Sequence, residues 1–460
     1  MISKRNFIKL AAAGVSAGAI QTFASGPANA QGVRVRRNIN AMPADDPILE
    51  VFREAVTKMH ELPDTDERSW IGQAQIHLDH CHRQPGHFLT WHRQYTLAFE
   101  DIVRDVTGEP DWALPYWDWS NNPQIPSAFF GAGNPLDTET WNDPDPQTSP
   151  FSQRRIGADD TLSSSSVDIS RIENQRLFDV FSSRLDNGPH GSVHVAIGGH
   201  MGRFLSPLDP IFWVHHCNVD RIWAKWSLNF ANPGDDEWLS ETFDDMFVDV
   251  SGQFVSDVRA SDLVDSRALG YDYDDLLNLG GAIAAGATST DLSPIFETEA
   301  IFTANAIPSV LNIPTSIALD AEPRVLLPDD FFDKQSVLDG TIERRVVARL
   351  SEIDIPEDAE NYEIRIFLNC PYLSPEVPKE DPHFVAELSL FSLRAMSNFV
   401  DMEGMKPSAL VDLTETLVNL NLRQTPVVDE LDVQIIAVAL DESNVSGDEF
   451  VVGRVEVVAA

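Results

Sequence analysis

Residues 188–221 read GPHGSVHVAIGGHMGRFLSPLDPIFWVHHCNVDR. His190 and His194 are four positions apart, so on a helix they share one face and both rings can reach one ion. Pro189 sets up the helix start. Gly191 and Ser192 follow His190 where a zinc protease would carry the glutamate of HExxH, so that pattern lacks its general base. Further on, His215 and His216 are adjacent. Neighbours on a helix point about 100° apart, so one of the two is expected to face the same ion. Asp209 and Asp220 are candidates to hold imidazole N–H groups or Arg221.

Working outward, a second dense segment lies about a hundred residues upstream. Residues 73–100 read QAQIHLDHCHRQPGHFLTWHRQYTLAFE. His77 is expected near the end of one helix and His92 near the start of another, with His80, His82 and His87 between them. Of the twelve histidines, six lie between His60 and His92, five between His190 and His216, and His383 stands alone. Two such clusters point to two sets of metal ligands that the fold brings together, in imidazole chemistry that suits a borderline metal. Arg93 has Glu100 and Asp101 as expected partners for its charge. The three cysteines, Cys81, Cys217 and Cys370, make no disulfide framework and no CxxC.

The composition narrows the alternatives. Against 33 Lys and Arg stand 72 Asp and Glu in 460 residues, a net charge of −39. So acidic a chain repels phosphate, which excludes nucleic acid and anionic membrane surfaces as partners. Residues 1–30 carry Lys4, Arg5 and Lys9, a weakly apolar stretch and Ala28-Asn29-Ala30 before Gln31. This reads as an export signal, similar to a twin-arginine signal with Lys4 in place of the first arginine. It places the protein in the periplasm or outside the cell. No other stretch is long and apolar enough to span a bilayer, so no membrane association is expected of the mature form. Residues 47–60, 92–107, 172–185 and 211–230 have helical spacing, and 120–165 reads as a surface loop. From about residue 300 the texture changes, and short β-rich runs such as YEIRIFLNC and FVVGRVEVV argue a sandwich. The expected layout is a mainly α metal domain over 31–300, a linker over 301–335 and a C-terminal β-sandwich over 336–460.

Taken together, HFLTWHRQY with LPYWDWS, then PHGSVHVAIGG and MGRFLSPLDPIFWVHHCNVDRIW, resemble the paired motifs of the tyrosinase and polyphenol oxidase family. These are type 3 copper proteins, and the resemblance covers about residues 45–230. It implies a four-helix bundle around two copper ions. The first would be held by His77, His82 and His92, and the second by His190, His194 and His216, with His215 as a non-ligand neighbour. His80 and His87 are alternatives to His82. The family often joins this middle histidine to a cysteine by a thioether, but here Cys81 and His82 are adjacent rather than spaced as Cys-x-His. The implied reaction uses O2 to oxidise small phenols, most simply o-diphenols to o-quinones. Tyrosinase-type hydroxylation of monophenols, o-aminophenol oxidation and a haemocyanin-like oxygen carrier are the alternatives. A dizinc or di-iron hydrolase would need carboxylates among the histidines, and neither cluster has a regular set. In the family, a glutamate and an asparagine near the first histidine of the second site order a water that deprotonates monophenols. The matching positions are Asp186 and Gly191, and both departures weaken that base. Phe204 falls near the aromatic that gates plant catechol oxidases. The resemblance also implies that the sandwich covers the copper entrance.

Overall fold

The computed structural model describes residues 33–81, 86–141, 143, 153–158, 160–164, 166–170, 172–277, 279, 300, 302–305, 308–309, 313–320, 345–355, 362–391, 393, 407–420, 430–439 and 450–459. The expected export signal at 1–30 and the candidate ligand His82 lie outside the described residues.

Helix α1 (Pro47–Glu61) starts where Asp46 caps it, its carboxylate accepting from the Ile48 N–H at 3.0 Å, with Pro47 in the first turn. Leu49, Phe52, Val56 and Met59 make one buried stripe at helical spacing. Helix α2 (Trp70–His80) is capped by Ser69, whose Oγ accepts from Gly72 N–H at 3.0 Å. Helix α3 (Phe88–Thr107) ends at Gly108, whose φ of 77° is the left-handed conformation that glycine adopts without strain. Helix α4 (Phe178–Leu185) runs through a π turn, Asp186–His190, into α5 (Gly191–Ile197), with a kink at Gly188. Helix α6 (Ile211–Trp226) is buried on nearly every side and forms the centre of the helical core. There Trp213 stacks on Phe99 with ring centres 3.6 Å apart. Within 120–165, Ile125, Phe129 and Leu136 are buried in the same core, so that stretch is not purely the surface loop its composition suggests.

The helices are cross-tied by a buried charge knot. Strand β1 (Arg34–Arg36) pairs in parallel with β2 (Tyr271–Tyr273) and brings Arg36 inside. Arg36 donates to Glu100 on α3 at 2.9 Å and to Asp220 on α6 at 3.0 Å. Arg93 donates to Asp220 at 2.5 Å and lies over the Trp223 ring at 3.6 Å. The Tyr271 hydroxyl donates to Asp220 at 2.6 Å, and Tyr273 donates to the same carboxylate. Burial alone would raise the Asp220 carboxyl, but Arg93, Arg36 and the two hydroxyls hold it below the usual carboxylate range. Arg93 and Asp220 therefore pair across helices, not with the local partners expected from sequence.

The C-terminal part is a two-sheet sandwich of antiparallel strands, among the described residues. Its strands are β3 (Phe302–Asn305), β4 (Thr315–Asp320), β5 (Val346–Asp354), β6 (Tyr362–Leu368), β7 (Phe384–Ser389), β8 (Ala409–Asp412), β9 (Glu430–Ala439) and β10 (Phe450–Ala459). One sheet has the order β7-β6-β9-β4. The other has β8-β5-β10-β3, with Pro308–Ser309 also pairing with β10. Strands β3 and β4 fall inside the 301–335 segment expected to be linker, so the sandwich begins near residue 302. FTAN in β3 is short and weakly patterned, and only its pairing with β10 makes it a strand. The sandwich and the helices are continuous, because Leu177 and Val180 share an apolar cluster with Val347, Leu410 and Val458. From Arg34 onward the chain clusters as one unit. No helix among the described residues is long and apolar enough to cross a membrane.

The knot generates a stability prediction. Asp220→Asn leaves Arg36 and Arg93 buried beside a neutral amide, and breaking such a pair costs about 3–5 kcal/mol. Urea unfolding should show a loss of that size, and a change below about 1 kcal/mol, the worth of an exposed pair, would contradict it.

Candidate metal centre

Five helical segments carry the histidines. His77 lies in the last turn of α2, His92 in α3, His190 at the end of the π turn, His194 in α5 and His216 in α6. Each ring except that of His216 is oriented by the main chain through Nδ1. His77 Nδ1 donates to the Phe204 carbonyl at 2.7 Å, His92 to Phe88 at 2.8 Å, His194 to Met201 at 2.7 Å and His190 to Asp186 at 3.1 Å. A carbonyl oxygen only accepts, so these nitrogens carry the proton and Nε2 keeps its lone pair. That tautomer is the metal-ligating one. His216 Nδ1 has no hydrogen-bond partner among the described residues, so its tautomer can follow the ligand.

The two clusters meet face to face. His92 stacks on His216 at 4.3 Å and 13°, and His77 stands 6.4 Å from His216. His194 Nε2 and His216 Nε2 are 3.2 Å apart. The donor atoms of His190, His194, His215 and His216 all lie within 4.8 Å of one another, and so do those of His77, Cys81 and His92, all seven residues being buried. Burial, then the neighbouring imidazoles, push His194 and His216 well below the ordinary histidine pKa, so both rings are neutral at pH 7. Convergent, buried imidazoles, four of them oriented by carbonyls at the far nitrogen, fit two closely spaced copper ions and supply no anionic ligand.

The remaining candidates fall out as follows. His87 turns away, stacking on Trp238 at 4.8 Å and bonding Thr90 Oγ1 at 3.2 Å, with burial lowering its pKa to about 4. His80 belongs to neither donor group. Cys81 Sγ, by contrast, sits 3.6 Å from His92 Nε2. His215, set aside in sequence as pointing elsewhere, lies parallel to His190 at 5.3 Å with neither ring nitrogen hydrogen-bonded among the described residues. Ligands converge from more than one element, so the angle along α6 alone does not exclude it. Asp209 is taken up by Arg154 at 2.6 Å and by the start of α6, Asp220 by Arg36, Arg93 and Tyr271, and Arg221 by Asp275 at 2.5 Å, so neither Asp209 nor Asp220 takes the imidazole or Arg221 role expected of it.

Asp186 places its carboxylate Oδ1 3.1 Å from His190 Nδ1. Gly191 follows with ordinary helical φ and ψ of −66° and −33°. Phe204 is buried, and its carbonyl orients His77. A residue that sequence reasoning missed closes the centre. Phe391, just beyond β7, stacks on His194 at 4.1 Å and 11° and stands 6.0 Å from Phe204. In the run FVAELSLFSL nothing distinguishes it from a sandwich core residue. A cavity of about 820 Å³ between the π turn and β7 touches Gly188, Pro189, Arg184 and Glu387 but none of these histidines, so it is not the substrate site.

The common central domain of tyrosinase matches residues 53–177 and 134–229. Tyrosinase HcTyr1 of Hahella sp. (strain CCB-MM4) is 26% identical over 92% of this chain and 98% of its own length. The chloroplastic (+)-larreatricin hydroxylase of Larrea tridentata and polyphenol oxidase of Vitis vinifera are each 29% identical, over 54% and 50% of this chain. The match spans about half of these plant proteins, 50% and 45%. Among solved structures, a latent aurone synthase (polyphenol oxidase) superposes with a TM-score of 0.64 at 21% identity, covering 93% of this chain and 91% of that one. Latent apple tyrosinase gives 0.62 at 17% identity, over 93% and 97%. These share the fold of helical core and C-terminal sheet domain.

Metal analysis should find two coppers per chain. His194→Ala should retain one while circular dichroism keeps the helical signal. Two tightly held coppers in that variant would show that the pair His190 and His194 is structural.

Proposed function

We propose that this chain, which belongs to the tyrosinase and polyphenol oxidase family of type 3 copper proteins and is a copper-dependent phenol oxidase, oxidises o-diphenols to o-quinones in preference to hydroxylating monophenols. The observation that carries this reading is the pair Asp186 and Gly191. The Asp186 carboxylate lies against His190 Nδ1, and Gly191 offers no side chain to order a water. Copper held by His77 and His92 on one side and His190, His194 and His216 on the other, with His82 completing the first set, supplies O2 binding and two-electron oxidation. The chain itself orients His77, His92, His190 and His194 through main-chain carbonyls, keeps His194 and His216 neutral by burial and packs aromatic rings against the centre.

A monophenol hydroxyl has a pKa of about 10 and must lose its proton to bind a metal at neutral pH. A positioned base contributes about 10²–10⁴-fold to such a transfer. A catechol presents two oxygens and a more acidic proton, so it depends less on that base. Phe391 over His194 also suits an oxygen carrier with a covered centre, and turnover of catechol in air separates the two. The sequence of residues 1–30 supports export, by a route of the twin-arginine kind, before the enzyme meets phenols outside the cytoplasm.

Oxygen uptake on dopamine and tyramine is the test. Dopamine should be turned over readily, and tyramine roughly a hundredfold less efficiently and with a lag. Gly191→Asn, alone or with Asp186→Glu, should raise the tyramine rate relative to the dopamine rate. Equal wild-type efficiency, or a ratio that both variants leave unchanged, would contradict the reading.

A further inference from the structure

Position 191 has a second consequence. Its backbone is ordinary α-helix, so nothing in φ or ψ requires glycine, and alanine would favour the helix more. What requires it is the C-terminal sandwich. A Cβ at 191 would lie 2.4 Å from Ser389 Oγ and 2.6 Å from Ser389 Cβ. Ser389 is the last residue of β7, where its backbone is fixed by pairing opposite Glu363 on β6. Its Cβ therefore moves only with the strand. The same Ser389 Oγ accepts the Phe391 N–H at 3.3 Å, in the turn that aims the Phe391 ring at His194. Beside this contact, Ser192 Oγ donates to Glu387 on β7 at 2.9 Å. Lys379 bonds both Glu387 and Glu363, so the strand is fastened to α5 on one side and to its own sheet on the other.

We propose that Gly191 is the seat on which the sandwich closes the metal centre, so that any side chain at this position lifts Ser389 and withdraws Phe391 from His194. The proposal rests on the phenol oxidase reading of the centre. It ties substrate class to closure, because one position cannot both carry the asparagine that would help order a water for monophenols and accept β7 as it lies.

The experiment uses the full-length, copper-loaded protein, with hydrogen exchange of the peptide spanning 384–391 and catechol-dependent oxygen uptake as separate readouts. In Gly191→Ala both should rise about tenfold, as an overpacked contact shifts the closed state toward the open one. Adding Ser389→Gly to that variant removes both clashing atoms, leaving the Asp186 carbonyl at 3.3 Å as the nearest neighbour, and should bring exchange and rate back to those of Ser389→Gly alone, the reference that also lacks the Phe391 N–H acceptor. Gly202→Ala, where a Cβ meets nothing within 4 Å, is the control and should change neither. Wild-type exchange and rate in Gly191→Ala, or the same tenfold rise when Gly191→Ala is added to Ser389→Gly, would overturn the proposal. Raised exchange and its reversal without catechol turnover in any variant would retain the seat and overturn phenol oxidation instead.

Discussion

An imidazole can ligate a metal only through a nitrogen that carries no proton, and in this protein the main chain decides which nitrogen that is. Four carbonyls, of Phe88, Asp186, Met201 and Phe204, take the Nδ1 protons of His92, His190, His194 and His77. The carbonyls of Met201 and Phe204 come from the turns between α5 and α6, while those of Phe88 and Asp186 lie four residues before the histidines they orient. Burial then keeps the His194 and His216 rings neutral, because charging them in an apolar interior is costly. The result is a set of lone pairs aimed at a shared space, which two coppers satisfy.

Such convergence demands rigid helices, and the charge knot supplies the rigidity. Asp220 is one turn beyond His216, and Arg93 is next to His92. The pair at 2.5 Å therefore fixes α3 against α6 at the level where their histidines stack. Arg36 adds the N-terminal strand to the same carboxylate. Closure by the sandwich is built on a different principle, shape, with Gly191, Ser389 and Phe391 in sequence leading from a missing Cβ to a ring over the metal ligand.

Much of this was legible in the chain. The spacing of His190 and His194, the two clusters and the period-2 runs after residue 345 read correctly because each is a local pattern. The strands at 302–305 and 315–320 were not legible, since their short sequences become strands only by pairing with β10 and β9. Nor were the roles of Asp209 and Asp220, whose partners Arg154, Arg36 and Arg93 lie 55 to 184 residues away. Phe391 and the fit of Ser389 against Gly191 depend on contact between two layers of the fold. A period-2 run announces a buried face but not what covers it. His82, which the motif resemblance offers as the middle ligand of the first site with His80 and His87 as alternatives, lies outside the described residues, and His87 stacks on Trp238.

The central claim is that the two histidine clusters form one dinuclear copper centre. Anomalous diffraction from crystals of the copper-loaded protein, recorded on both sides of the copper edge, tests it most directly. The account predicts two copper peaks about 3.5–4 Å apart, one beside His77 and His92 and the other beside His190, His194 and His216. A single peak, or peaks that persist only at the zinc edge, would contradict it.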